Sequence, residues 1–362
     1  MLIIFAKNVE CAHGFLVMAA VLLLAGCGKK DAGSAEQTAK PASGETFTLK
    51  IGNTVSDIDP FNVAYREFEE EVEKASEGRI QVELFTSGSI GETDADVLDK
   101  VRSNTLQMGN TTPNCFADLS GMSEYYVYGI PYLMSTDEEL NAVAESEWFM
   151  GLNKDFAKAT GVKVFDGGVN MGWFGFSATG KEIHQIADLK GMAIRINQTN
   201  QMIALSEGAG INPQFIAFSE VYTALAQGTV DGMVTNVPLF YSNGFYDQLK
   251  SILTTHCGES YHFYIINDKF YNSLPDDLKP IIDKNVDKLI ARTRELEVDY
   301  LEEAIGKMRE KNVIVTEASK EDEDMLRQIS VDKVWWDENV SLTSKENVKK
   351  VLEILGRTDE AQ

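Results

Sequence analysis

Arg195 is the residue of this 362-residue chain best suited to binding chemistry. A guanidinium takes a carboxylate through two parallel charge-assisted hydrogen bonds, and its rigid fork fixes the ligand's orientation where a lysine would not. The competing role is a surface ion pair on an edge strand. Bond-breaking chemistry finds less support. The four histidines are His13, His184, His256 and His262, and none stands near a Gly-x-Ser-x-Gly elbow, a His-Glu-x-x-His pair or a P-loop. No catalytic residue is assigned. The chain has no Gly-x-Gly-x-x-Gly spacing, no Cys-x-x-Cys and no Cys/His cluster, so neither a dinucleotide, a metal nor any other cofactor is expected.

The elements that position Arg195 lie between Asp188 and Asn236. Met192, Ile194 and Ile196 fall on one side of a period-2 pattern, which places Arg195 on a short strand, facing away from its apolar side. Further on, Ser219 is placed to cap a helix carrying Val221, Ala224 and Leu225, with Gly228 as its stop. A strand over Thr229 to Thr235 follows.

This stretch resembles the solute-binding subunits of tripartite ATP-independent periplasmic (TRAP) transporters, the DctP-type family. The resemblance rests on Asp188-Leu189-Lys190-Gly191, the strand ending at Arg195, the run Phe218-Ser219-Glu220-Val221-Tyr222-Thr223-Ala224-Leu225, and Val230-Asp231-Gly232. It extends more loosely from about Phe47 to Trp336, through Leu84-Phe85-Thr86-Ser87-Gly88-Ser89-Ile90-Gly91 and Ile130-Pro131-Tyr132. The resemblance implies an α/β, two-lobed periplasmic-binding-protein-like fold with a hinge and a long helix bracing both lobes. It implies that Arg195 holds a ligand carboxylate and that Phe218 packs against ligand or hinge. Where the family has an asparagine reaching the ligand, this chain has Thr235, followed by Asn236. Where some branches carry a second arginine, it has Gly175.

The formal net charge of −23 argues against nucleic acid as a partner, because phosphate binding needs basic faces. It does not exclude an anionic small ligand, since distant surface charge is screened within about 8–10 Å. Residues 1–27 read as a lipoprotein signal peptide: Phe15 to Leu24 is apolar but shorter than the ~20 residues of a membrane-spanning helix, and Leu24-Ala25-Gly26-Cys27 resembles a lipobox that leaves Cys27 lipidated. An ordinary secretory signal is the alternative. Residues 28–45 lack apolar periodicity and read as a flexible tether. The expected location is therefore extracytoplasmic, in the periplasm or at the cell surface, anchored to the membrane through Cys27. Cys115 and Cys257 remain in the mature body; pairing and free thiols are both open.

In the body, a strand over Phe47 to Ile51, a helix from Phe61 to Ala75, a strand over Ile80 to Leu84 and a helix from Thr93 to Arg102 indicate helices covering a largely parallel sheet. Asp94, Asp96 and Asp99 sit on the polar side of that last helix and read as solvated surface. Leu106 to Gly109 reads as a strand, so Thr111 to Asn114 forms a loop at a strand's carboxyl end, where ligands sit in such sheets. Asn114 is a candidate contact there, or simply a turn residue. Val162 to Phe165 reads as a strand leading into the second lobe, followed by Trp173, Phe174 and Phe176, which serve either the cleft or the core. Ile252 to Thr255 and Tyr261 to Ile266 read as two strands, and Asp276 to Lys311 as one long helix. The acidic run Glu321 to Asp324 opens the next helix, where it complements the macrodipole. Lobe I is drawn over 46–172 with 261–300, and lobe II over 173–260 with 301–354.

The candidate ligand-binding set is Arg195, Phe218, Thr235, Asn236, Trp173, Phe174, Asn114 and Gln198. With no second cation expected, a second ligand carboxylate would be poorly neutralised, so a small monocarboxylic acid with an apolar, aromatic or partly hydroxylated body is favoured. The expected function is capture of an organic acid and its delivery to TRAP membrane permease subunits. The alternatives are an ABC-type binding protein or a sensor's ligand-binding partner, and an anchored hydrolase.

Overall fold

The computed structural model describes residues 44–361. The signal segment, Cys27 and all but the last two tether residues lie outside the described residues. In chain order the elements are β1 (Phe47–Gly52), α1 (Pro60–Ala75), β2 (Ile80–Phe85), α2 (Asp94–Arg102), β3 (Met108–Thr111), α3 (Pro113–Ser120), α4 (Asp137–Ala144), α5 (Glu147–Thr160) and β4 (Val162–Ala178). There follow β5 (Ala193–Arg195), α6 (Asn200–Gly208), β6 (Asn212–Gln214), α7 (Val221–Ala226), β7 (Gly232–Asn236), α8 (Val237–Ser242), β8 (Ser251–Asn267) and α9 (Asp268–Ser273). The chain closes with α10 (Lys279–Glu310), β9 (Ile314–Glu317), α11 (Lys320–Ser330), α12 (Glu338–Ser341) and α13 (Lys345–Ile354).

The helices begin where the local chemistry supplies acceptors for their free N–H groups. Asp59 caps α1 ahead of Pro60, and Thr93 forms a reciprocal capping box with Asp96 at α2. Ser146 and Ser319 cap α5 and α11. α7 departs from expectation: Ser219 lies in a 3-10 turn over Phe218–Glu220, and the helix starts at Val221 without a side-chain cap.

The strands form a nine-stranded sheet in the order β2-β1-β3-β8-β4-β7-β5-β6, with β9 paired to β8. β1, β2 and β3 are parallel to one another, as are β7, β5 and β6. β4 and β8, each 17 residues long, run antiparallel through the middle. The carboxyl half of β8 lies between β3 and the start of β4, and its amino half lies between β9 and the end of β4. Two half-sheets thus share one pair of long strands. The β4–β8 register shifts between Val164 and Gly168, between Asn170 and Trp173, and between Trp173 and Gly175. Such irregularities bend a strand and disrupt its ladder. The two short strands expected over 252–255 and 261–266 are therefore one continuous element, because pairing with β4 carries through residues without alternating character.

Three apolar clusters fill the layers. One joins α1, β1 and β2 to the first half of α10 through Ile282, Val286, Leu289 and Ile290. A second packs α7 and α8 against its other end at Leu301, Ile305 and Met308. α10 has 32 residues, about 48 Å at 1.5 Å per residue, and so braces both halves. The third cluster holds α2 to α6 and the C-terminal helices.

The acidic run does more than open α11. Asp322 accepts the Ile186 N–H at 3.0 Å, and Glu323 accepts the Tyr132 hydroxyl at 2.5 Å and faces His256 Nδ1 at 3.0 Å. That partner raises the His256 pKa above its ordinary value. Nearby, Trp335 is 1% exposed and its indole N–H donates to the Pro131 carbonyl at 2.9 Å, which Ser330 also bonds at 2.6 Å. Trp335→Ala is expected to cost about 3–5 kcal/mol, read as a lower urea midpoint with unchanged slope. Trp335→Phe should lose less, because it retains most of the ring packing.

Candidate binding cleft

The cleft between the two half-sheets has a volume of about 590 Å³. Its walls come from the β1–α1 connection, the starts of α2, α3 and α6, the middle of β4 and β8, the end of β5, the Phe218 turn and the β7–α8 junction. These are mainly the carboxyl ends of parallel strands, where ligands collect in such sheets.

Arg195 ends β5, whose parallel pairing to β6 and β7 fixes the backbone. The residue is 6% exposed. Its Nε donates to the Ile216 carbonyl at 3.1 Å and its Nη1 to Asn197 Oδ1 at 2.9 Å. The remaining N–H groups have no protein acceptor among the described residues, and the guanidinium lies 5.6 Å from the Phe218 ring centre. Burial lowers its pKa and no carboxylate offsets that, yet an arginine stays charged. An unpaired buried charge is costly, so the arrangement suits an incoming anion.

Phe218 is 40% exposed and packs edge-on against Phe245 with ring centres 5.5 Å apart. Thr235 and Asn236, the last residues of β7, are buried, and Asn236 Nδ2 donates to the Met171 carbonyl at 3.2 Å. Phe174 and Asn114 also line the cleft. Asn114 lies in the first turn of α3 and not in a loop, because β3 ends at Thr111 and Pro113 starts the helix; its Oδ1 is buried without a partner.

Two expected residues stand apart. Trp173 does not line the cleft; its ring packs against His256, 5.1 Å between centres. The register shifts on either side of it break the strict alternation that would have placed it. Gln198 is exposed beyond the end of β5 and also falls outside the lining. Phe176 belongs to the core. Asp94, expected on solvated surface, lines the cleft, with Oδ1 accepting from Thr54 at 3.2 Å and Oδ2 4.0 Å from His262 Nε2. His262 is fully enclosed, and burial lowers its pKa, which favours the neutral ring. Asp59, Glu92, Gln201 and Glu259 also line the cleft and were left unmarked by the sequence; burial raises the Glu259 carboxyl well above the usual range. The Asp59-Pro60 helix start following β1 was the available signal for Asp59.

Cys115 and Cys257 are free thiols. Burial pushes Cys257 up to about 12, which keeps it protonated and unreactive. Among the described residues no group of His, Cys, Asp and Glu is arranged to hold a metal ion, and no helix is long and apolar enough to cross a membrane.

The family model described as bacterial extracellular solute-binding protein, family 7 (DctP), matches residues 51–338. The chain belongs to the DctP family of TRAP solute-binding subunits. Among its relatives is the C4-dicarboxylate-binding periplasmic protein DctP of Rhodobacter capsulatus, 30% identical over 67% of this chain and 72% of the relative. A TRAP periplasmic solute-binding protein from Ochrobactrum anthropi has a similar structure, with a TM-score of 0.78, 22% identity, and coverage of 88% of this chain and 97% of that one. So does the sugar acid binding protein DctPAm from Advenella mimigardefordensis in complex with galactonate, with a TM-score of 0.76, 22% identity, and coverage of 87% and 99%. The DctP fold of these proteins is the two-lobed architecture seen here.

Proposed function

We propose that this DctP-family protein captures a small monocarboxylate in its cleft, with the carboxylate on Arg195, and delivers it to the permease of a TRAP transporter. The observation that carries the assignment is the buried Arg195 guanidinium with free N–H groups and no anionic partner among the described residues. The R. capsulatus relative is named for dicarboxylates and the A. mimigardefordensis structure holds galactonate, so both handle carboxylates.

A single carboxylate is favoured because Arg195 is the one lysine or arginine among the described residues lining the cleft. No second cation stands at position 175: Gly175 is outside the cleft lining, and a Cβ there would be tight, 3.1 Å from Ile252 and 3.2 Å from Val237. Phe174, Phe218, Tyr128 and Met171 supply apolar surface for the body of the ligand. The register breaks in β4 and β8 suit a hinge between lobes drawn as 46–172 with 261–300 and 173–260 with 301–354. Closure about it would bury the ligand. Lipidation of Cys27, with 28–45 as tether, would hold the body near its permease. DctP is a transport family, which weighs against the anchored hydrolase.

The test is thermal melting of the purified protein against monocarboxylates, dicarboxylates and sugar acids. A ligand at a hundred times its dissociation constant adds about 2.7 kcal/mol, a shift of several degrees. Monocarboxylates are expected to give it. A shift with dicarboxylates alone would favour the relative's ligand class, and no shift with any acid would overturn the assignment.

A further inference from the structure

The cleft wall that follows β1 carries Asp59. Its carboxylate caps α1 by accepting the Phe61 N–H at 3.0 Å and makes no other hydrogen bond among the described residues. The residue is nonetheless 4% exposed and lines the cleft. Behind it stands Glu297 of α10, 8% exposed, whose Oε1 is buried without a partner. Ser56 Oγ is likewise buried and unbonded. The titratable groups facing Asp59 are Glu297 and Tyr300 from α10 and Tyr264 from β8, and none is a cation.

Buried acceptors without donors are unfavourable as they stand. A second ligand carboxylate would set an anion beside two acids with no cation among the groups that face them. A hydroxyl would supply a hydrogen bond but would leave Asp59 uncompensated once it ionises above about pH 7. A protonated amine supplies both N–H donors and the opposite charge. Asp59 belongs to the β1–α1 connection and Arg195 to β5, so these two cleft-lining charged groups come from different half-sheets.

We propose that the ligand is an amino-substituted monocarboxylate, its carboxylate on Arg195 and its ammonium group on Asp59 with Glu297 behind. This rests on the assignment of Arg195 to the carboxylate. Such a ligand ties one half-sheet to the other, so its two charges drive closure together.

The proposal carries a pH signature. Burial pushes Asp59 up to about 7 and raises Glu297 well above the carboxylate range. Below pH 7 Asp59 holds a proton that must leave before the ammonium group is seated. Affinity for the amino acid therefore falls as pH drops below 7, by up to about tenfold per unit, and levels off above it. A plain acid has no group that requires Asp59 to be ionised, so its affinity lacks this fall below pH 7.

The experiment is calorimetric titration of the purified protein with β-alanine, γ-aminobutyrate and 5-aminovalerate, each beside the plain acid of the same chain length and beside succinate and glutarate. At pH 8 at least one amino acid should bind roughly tenfold to a hundredfold tighter than its plain counterpart. Asp59→Asn, which keeps a cap acceptor for α1, should bring that ratio close to one and remove the pH dependence. Equal binding of amino and plain acids, or a ratio unchanged in Asp59→Asn, would overturn the proposal while leaving the Arg195 carboxylate site standing. Binding of no carboxylate at all would overturn both.

Discussion

Arg195→Ala is expected to weaken binding of the cognate acid by roughly tenfold to over a hundredfold, since hydrogen bonds to charged groups contribute about 1.5–3 kcal/mol. The loss should come without a loss of stability in the empty protein. The guanidinium is buried with two hydrogen bonds to Ile216 and Asn197 and no carboxylate beside it. Removing an uncompensated charge of that kind relieves desolvation. The melting midpoint of the unliganded variant should therefore hold or rise while the ligand-induced shift disappears. Arg195→Lys should fall between, because an ammonium lacks the fork that meets both carboxylate oxygens. Calorimetry and melting together check this: undiminished affinity in Arg195→Ala would remove the carboxylate site, and a collapsed midpoint would assign the residue to folding.

Gly232→Ala is expected to be among the most damaging single-methyl additions in the protein. A Cβ at Gly232 would overlap the backbone carbonyl of Ser177, whose carbon would stand 2.7 Å away. Backbone cannot swing aside as a side chain can. Ser177 Oγ also accepts from the Met233 N–H at 3.1 Å and donates to the Met233 carbonyl at 2.9 Å, so the added methyl pries apart a bonded junction of β4 and β7. Overpacking alone costs about 1–3 kcal/mol, and lost hydrogen bonds at this junction add to it. The damage should reach the cleft, because Gly232 pairs with Ile194 and Met233 with Arg195. A drop in melting midpoint accompanied by weaker ligand binding is the expected result. A midpoint equal to that of the unaltered protein would refute it. The requirement also gives the Val230-Asp231-Gly232 turn a physical reason: the third position must have no side chain.

Much of the first lobe was legible because its elements obey one period each. The helical spacing of Phe61, Tyr65, Phe68 and Val72 is read directly, and all four are buried in α1. Thr93 announces α2 as a cap. The two long strands were less legible. β4 is broken up by Gly167, Gly168, Gly172 and Gly175, and β8 is buried on both faces over much of its length, so neither alternates. Their continuity comes from pairing with each other, which no local pattern records.

The site divides the same way. Arg195, Phe218, Thr235 and Asn236 could be placed together because they sit on β5, β7 and the turn between them, within one stretch of chain. Asp59 and Asp94 join them only through the meeting of the two half-sheets, and an acidic helix start reads as solvated surface until that packing is known. Trp173 was misplaced because two register shifts reset the face on which it points.

A crystal structure of the protein grown with the acid that gives the largest melting shift tests the central claim most directly. The predicted result is a carboxylate at about 2.7–2.9 Å from the free Arg195 nitrogens, beneath the Phe218 ring and enclosed by both half-sheets. An acid seated elsewhere in the cleft, or one whose carboxylate turns away from Arg195, would contradict it.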